Sequence, residues 1–149
     1  MHCVVFRLAG EYYGISVNHV LEVVEAPTVS VFPQAPDFVE GVVTVRGHSI
    51  VVVDLRRRLG FEKGNSEQTL HMIIARVEGL VVGLLVDSVD DVLELGEGGT
   101  DSVEDIAGHF VEGKLVKGVA HYNGRDIMLL NLDETLGHEE RDALWSLGR

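Results

Sequence analysis

Short apolar runs, rich in valine and isoleucine, alternate along the chain with glycine, asparagine and charged residues. Brief runs bounded in this way are typical of β-strands, whereas helices show apolar residues at a period near 3.6. The pattern predicts an all-β fold with minor helices. The predicted strands cover residues 3–8, 12–16, 20–26, 39–45, 48–53, 71–77, 80–86, 89–95, 115–122 and 126–131.

Glycine-containing turns separate several of these strands, at 9–11, 46–47, 78–79 and 123–124. Glycine, and asparagine before it, adopt the positive φ that tight hairpin turns need. We therefore expect antiparallel hairpins. The connections are too short for the helices of parallel crossovers, which excludes a Rossmann-like sheet.

Helical signals are few and peripheral. One-turn segments are predicted at 18–21 and 55–59, and a helical end follows Asn131, with an apolar stripe at Leu132, Leu136, Leu144 and Trp145. The polar stretch 61–68 has no apolar period and is typical of a linker or long loop. It divides the chain into two barrel-like units, since barrel closure protects strand edges. We place the first subdomain at about 12–70 and the second at about 71–130, with the terminal segments completing the barrels.

Charge and composition exclude several functions. The formal net charge is −12, from 12 basic and 24 acidic side chains, which argues against nucleic-acid binding and against acidic membrane surfaces. Of the acidic residues, 15 follow residue 86. This acidic second half of the chain is interpreted either as a solvated face that keeps the protein soluble or as an electrostatic docking surface. No apolar run approaches the ~20 residues of a membrane span. The single cysteine, Cys3, lies in an apolar run, so we expect it to be buried in a cytoplasmic protein without direct membrane insertion.

The sequence offers little catalytic chemistry. Residues 108–114 have the spacing of a phosphate-binding loop, but Leu115 stands where that loop needs serine or threonine. The seven histidines form no metal-binding pattern, and no serine-nucleophile motif is present. We therefore predict no catalytic residue, no metal site and no cofactor. Asp54 and Asp87 each end an apolar strand and are interpreted as caps of local backbone amides, and Arg46 lies at a hairpin tip as a structural or exposed charge.

A series of motifs, in this order and spacing, resembles the CheW family of coupling proteins in bacterial and archaeal chemosensory systems. The motifs run nearly end to end: Phe6-x-Leu8, Tyr13-Gly14-Ile15, Val20-Leu21-Glu22-Val23, Pro33-x-Ala35-Pro36-x-Phe38-Val39-x-Gly41-Val42, Arg46-Gly47, Val53-Asp54-Leu55-Arg56, Val82-Gly83-Leu84-Leu85-Val86-Asp87-x-Val89-x-x-Val92-Leu93 and Leu129-Leu130-Asn131-Leu132.

The resemblance implies a single CheW-like domain over 1–149, built from two five-stranded SH3-like barrels side by side. It implies a non-catalytic signal-transduction adaptor between the cytoplasmic tip of methyl-accepting chemoreceptors and the regulatory domain of a CheA-type histidine kinase. Two other hypotheses stay open. One is a small-ligand-binding or metal-dependent enzyme on twin barrels, with His109 and His121 contributing. The other is a coupling module detached from a larger kinase.

The resemblance also implies two groups of site residues. Val20, Glu22, Gly41 and Arg46 lie at positions implied to couple the kinase and the receptor. His71, Gly83 and Val89 lie on segments implied to line a groove for receptor helices. The alternatives are core packing for the valines, backbone geometry for the glycines and a solvated charge for Glu22. The chain departs from the family pattern at Thr44-Val45, Val51 and His71, which leaves flagellar motility, surface motility or another output open.

Overall fold

A computed structural model describes residues 2–30, 35–61, 70–95, 100–102, 115–137 and 143. This part of the chain is mostly β-structure. Its strands are β1 (His2–Leu8), β2 (Glu11–Ser16), β3 (Val20–Glu25), β4 (Val39–Val45), β5 (His48–Asp54), β6 (His71–Val77), β7 (Leu80–Val86), β8 (Ser88–Glu94), β9 (Thr100–Ser102), β10 (Val116–Tyr122) and β11 (Arg125–Leu130). A 3₁₀ turn (Val17–His19) and the one-turn helices α1 (Leu55–Arg58) and α2 (Leu132–Thr135) complete it.

The strands form two sheets. Sheet I has the order β8-β1-β2-β11-β10-β9, and sheet II has the order β3-β6-β7-β5-β4. Each predicted strand is present, and the predicted all-β class with two sheets is confirmed. β9 was not among the predicted strands. It is three residues long and polar in sequence, so it shows no alternation of apolar and polar residues.

The hairpin turns form as predicted. Ala9, Arg46, Glu78 and Asn123 have φ between 50° and 52°, and the glycine after each also has positive φ. Two consecutive residues with positive φ match the right-handed twist of the flanking strands. Two pairings, β2 with β11 and β5 with β7, are parallel. They join strands that are distant in sequence, so no turn residues signal them.

The main hydrophobic core is shared by the two sheets. It includes Phe6 and Tyr13 from sheet I and Ile73 and Leu84 from sheet II, all inaccessible to solvent. A second cluster lies within sheet II alone and is called here the inner cluster; it consists of Val43, Ile50, Val52, Met72, Ile74 and Leu85. The shared core holds the sheets against each other, and the inner cluster supports the surface described below.

Cys3 is fully buried in a third cluster, within sheet I, as predicted. Burial raises the pKa of its thiol because the charged thiolate is poorly solvated there.

The change of sheet does not coincide with the predicted division near residue 70. β6 and β7 pair within sheet II, and the chain returns to sheet I, which already contains β1 and β2, after Asp87. The polar stretch that suggested the boundary therefore connects strands of one sheet. The subdomain limits stay a prediction.

The helical C-terminal segment is described only in part. Leu132 and Leu136, at α2, are buried in the shared core, in agreement with half of the predicted stripe. Leu144 and Trp145 lie outside the described residues. Among the helices that the structure describes, none is long and apolar enough to span a membrane.

Candidate functional site

A bidentate ion pair joins the two outer strands of sheet II. Glu22 lies on β3, and Arg46 lies in the turn that follows β4, at the other end of the strand order. The Nη2 of Arg46 donates to Oε1 of Glu22 at 2.6 Å, and its Nη1 donates to the second carboxylate oxygen. Two parallel charge-assisted hydrogen bonds fix both side chains. The structure thus brings together two of the predicted coupling residues.

This ion pair shifts the titration of its members. Hydrogen bonding to Arg46 lowers the pKa of Glu22, and the same contact raises the pKa of Arg46. A lowered carboxyl pKa means that the pair stabilises the fold above the ordinary Glu pKa, and that this stabilisation is lost as pH falls through the lowered value.

We therefore expect the side-chain carboxyl of Glu22 to titrate below its ordinary value of 4.5 in an NMR pH titration. In an Arg46→Gln variant the midpoint should rise towards that value, because the cationic donor is gone. A midpoint that is the same in both proteins would contradict the ion pair.

A groove of about 520 Å³ opens beside this pair, and we call it the mouth groove. It lies where the inner cluster of sheet II reaches the surface, since Ile50 and Ile74 belong to both and Val45 and Val81 pack against the cluster. The mouth groove therefore has an apolar floor and a charged rim. It is lined by Leu21, Glu22, Val45, Arg46, His48, Ser49, Ile50, Ile74, Arg76 and Val81.

Val20 opens β3 and is half-buried against the shared core. Its backbone N–H donates to the carbonyl of Val17 and closes the 3₁₀ turn. Beyond it, Leu21 and Val23 are 50% and 40% exposed, on a strand that, among the described residues, pairs only with β6. Sequence reasoning did not single out these two residues, although apolar side chains on an edge strand mark a contact surface.

Glycine is required at position 41 by the close packing of a neighbouring backbone segment. A Cβ at this position would lie 2.1 Å from the carbonyl oxygen of Ser30. Ser30 exchanges backbone hydrogen bonds with Val42, and the register between β4 and β5 shifts next to Gly41. The absence of a side chain thus lets a neighbouring segment lie against β4.

Gly41→Ala is expected to lower the free energy of unfolding by about 2–3 kcal/mol, since the clash is with backbone and cannot relax by side-chain rotation. Gly47→Ala is the matched control: its φ is also positive, but nothing lies within 4 Å of its added Cβ, so we expect a loss of about 1 kcal/mol. Urea denaturation measures both. Equal losses would show that the approach of Ser30 carries no cost.

The three predicted groove residues lie on three different strands. Gly83 is buried on β7, where an added Cβ would meet the sulfur of Met72 at 2.5 Å. Val89 is half-buried on β8 and pairs with Phe6 of sheet I. His71 begins β6 in sheet II. Their role in receptor binding stays a prediction.

His71 carries a buried ring nitrogen, Nδ1, without a hydrogen-bond partner in the described part of the chain. It pairs with Glu25 on one neighbouring strand and with Val86 on the other. His71 is the first residue of β6 and is half-buried, whereas the four residues that follow it are buried and apolar.

A buried cluster of charges, which sequence reasoning missed, lies at the junction of the sheets. The side chain of Arg56 is 6% exposed, and its Nη1 lies 3.0 Å from Oδ1 of Asp87. Its Nε lies 3.6 Å from Oδ1 of Asp54. These three residues are called the junction cluster. Asp54 is the last residue of β5 in sheet II, and Asp87 lies between β7 of sheet II and β8 of sheet I, so the cluster connects α1 to both sheets.

Asp54 and Asp87 were both predicted to cap local backbone amides, and the structure confirms this for one of them. Asp54 accepts from the backbone N–H of Arg56 and caps α1, which confirms the local cap. The local cap predicted for Asp87 is wrong: its Oδ2 accepts from the backbone N–H of Ala9, which is distant in sequence. The reason is that β7 passes directly into β8, which pairs with β1, so Asp87 faces the turn after β1.

The next two arginines of α1 bind other parts of the chain. Arg57 donates to the carbonyl of Asp37 at 3.0 Å, and Arg58 donates to the carbonyl of Thr135 at 2.6 Å. In sequence these consecutive arginines look like exposed surface charges, but in the structure they connect α1 to the segment before β4 and to α2.

The enzyme hypothesis named two histidines, and the structure describes one of them, His121. His121 lies 2.6 Å from the carboxylate of Asp126, on an exposed hairpin. Within the described ranges, no group of three or more His, Cys, Asp or Glu side chains is arranged to hold a metal ion. His109 and the loop-like segment 108–114 lie outside these ranges.

Comparisons with known proteins agree with this geometry. The family model of the CheW-like domain matches residues 2–140. The chain is 34% identical over 140 residues to the chemotaxis protein CheW of Rhizobium meliloti, covering 94% of this chain and 90% of that protein. It is 31% identical to CheW of Thermotoga maritima, covering 88% and 84%.

The structure matches the crystal structure of the scaffolding protein TtCheW from Thermoanaerobacter tengcongensis with a TM-score of 0.81 and 30% identity, covering 93% of this chain and 94% of that one. Sequence and fold therefore agree over nearly the whole chain, and the enzyme hypothesis is not favoured. The chain belongs to the CheW-like family of chemotaxis proteins, and its function is that of an adaptor in chemosensory signal transduction.

Proposed function

We propose that the chain is a non-catalytic adaptor that binds the regulatory domain of a CheA-type histidine kinase and the cytoplasmic tip of a methyl-accepting chemoreceptor. The observation that carries this proposal is the agreement with CheW proteins over more than nine-tenths of the chain, in sequence and in fold. An adaptor needs two contact surfaces and no reacting groups.

The kinase surface is proposed at the outer edge of sheet II. Val20 and Glu22 lie on β3, and Arg46 is held against that strand by the bidentate pair. Leu21 and Val23 are exposed beside them. An edge strand with exposed apolar side chains and a fixed charge offers both burial and orientation to a partner. Gly41 contributes through the position of β4.

The receptor surface is proposed near the junction of the sheets, where β7 passes into β8. His71 pairs with Val86 immediately before this junction, and Val89 follows it on β8. Gly83 is proposed to contribute through backbone geometry alone, because a side chain there would displace Met72. The edge position of β8 and the 55% exposure of Val92 support a helix-binding surface on this side.

Direct binding tests the proposal. In calorimetry, the purified chain should bind the isolated regulatory domain of a kinase from the same organism with a micromolar Kd, about −8 kcal/mol. Leu21→Asp should weaken this binding at least tenfold, whereas the matched control Val92→Asp, exposed on sheet I, should not. Against a receptor-tip fragment the ranking should reverse. An unmodified chain that binds neither partner would contradict the proposal.

A further inference from the structure

The charge of the mouth groove is opposite to that of the chain. The sequence has 24 acidic and 12 basic side chains, but the lining of the mouth groove contains Arg46, Arg76 and His48 and a single acid, Glu22. Glu22 is already bound to Arg46. The remaining rim is therefore cationic, in a chain whose formal net charge is −12.

Arg76 is the arginine of the rim for which the described part of the chain supplies no side-chain partner. It is exposed, and within the described residues its guanidinium makes no hydrogen bond or ion pair. By contrast, the described arginines Arg7, Arg46, Arg56, Arg57 and Arg58 each contact a carboxylate or a carbonyl. Five donors in a planar fork are thus available at this position for an external acceptor.

The strand geometry places Arg76 directly beside the apolar floor. Met72 and Ile74 belong to the inner cluster, and Arg76 follows at the same alternate positions of β6, so it lies on the same face of the strand. Its partner in register is Val81, another lining residue of the mouth groove. A guanidinium at the edge of an apolar floor suits a ligand that combines an apolar group with a carboxylate.

We propose that the mouth groove binds a protein segment that presents an apolar side chain and a neighbouring carboxylate, with Arg76 as the anchor of the carboxylate. This inference rests on the proposed function, because it names the partner chemistry at the same edge of sheet II. The volume of about 520 Å³ is in the ordinary range for a binding site. Charge complementarity selects the acidic segment, since a basic or neutral one would leave Arg76 without an acceptor.

Methyl NMR with short peptides tests the inference without the kinase. The probe is a capped peptide with a central Leu-Ser-Glu, in which the leucine and the carboxylate share one face when the peptide is extended. It should shift the methyl signals of Ile50, Ile74 and Val81. The matched Leu-Ser-Gln peptide should bind about tenfold more weakly, as expected from the loss of a charge-assisted hydrogen bond.

Two variants complete the experiment. Arg76→Gln should weaken binding of the Leu-Ser-Glu peptide about tenfold, and Lys117→Gln, which removes the same charge from sheet I, should leave it unchanged. The inference is overturned if neither peptide shifts the groove methyls, if both peptides bind equally, or if sodium acetate alone causes the same shifts. These outcomes do not depend on kinase binding, so failure of the groove and failure of the adaptor role are distinguishable.

Discussion

Replacing Arg56 with methionine is expected to lower the free energy of unfolding by about 3–5 kcal/mol. The side chain is 6% exposed and lies between the carboxylates of Asp54 and Asp87. Without it, two buried negative charges lose their counter-ion while remaining out of water, which is the costly way to break a buried ion pair. The expected loss is a large part of the ~5–15 kcal/mol that stabilises a small protein.

Arg57→Met is the matched control, because within the described ranges the side chain of this neighbour in α1 makes a single hydrogen bond, to the carbonyl of Asp37. We expect a loss of no more than about 1 kcal/mol. A double variant, Arg56→Met with Asp87→Asn, should lose less than the sum of the single losses by more than about 1 kcal/mol. Chemical denaturation that finds Arg56→Met no worse than Arg57→Met would contradict the junction cluster.

Arg46→Glu is expected to weaken binding of the kinase regulatory domain by about tenfold or more, while the chain stays folded. The substitution places two carboxylates at the site of the ion pair, and each repels the other from the bound geometry. The turn itself tolerates glutamate, since Glu78 holds the corresponding position of another hairpin with φ of 51°. Calorimetry measures the affinity, and circular dichroism the fold.

The charge-swapped double variant, Glu22→Arg with Arg46→Glu, separates two roles of this pair. If the pair acts by bracing β3 against the β4–β5 turn, the swap restores the contact and most of the affinity. If Arg46 touches the kinase directly, the swap stays defective. Lys117→Glu, with the same change of charge on sheet I, should bind like the unmodified chain. Undiminished binding by Arg46→Glu would remove the pair from the kinase surface.

The local structure of this protein could be predicted because its signals are local. Alternation of apolar and polar residues located the strands, and the turns at Ala9, Arg46, Glu78 and Asn123 were evident from the glycine after each. Asp54 followed the same logic, since its cap lies two residues away. In each case the interacting groups are neighbours in sequence.

The contacts that make the site are not local. Glu22 and Arg46 lie 24 residues apart, one on β3 and the other in the turn after β4, at the opposite end of the sheet order, so their pairing depends on how sheet II folds. Arg56 and Asp87 meet only because the two sheets share a junction. The parallel pairing of β5 with β7 has no sequence signal for the same reason. A resemblance to a family pointed to Glu22 and Arg46, whereas their direct contact required the structure.

Receptor control of the kinase tests the central claim most directly. A kinase and membrane vesicles carrying a chemoreceptor, both from the same organism, are combined with and without the purified chain, and kinase autophosphorylation is measured. If the chain is the adaptor, kinase activity should depend on the receptor only when the chain is present, and Arg46→Glu should restore little of that dependence. A kinase that responds to the receptor equally well without the chain would contradict the adaptor role.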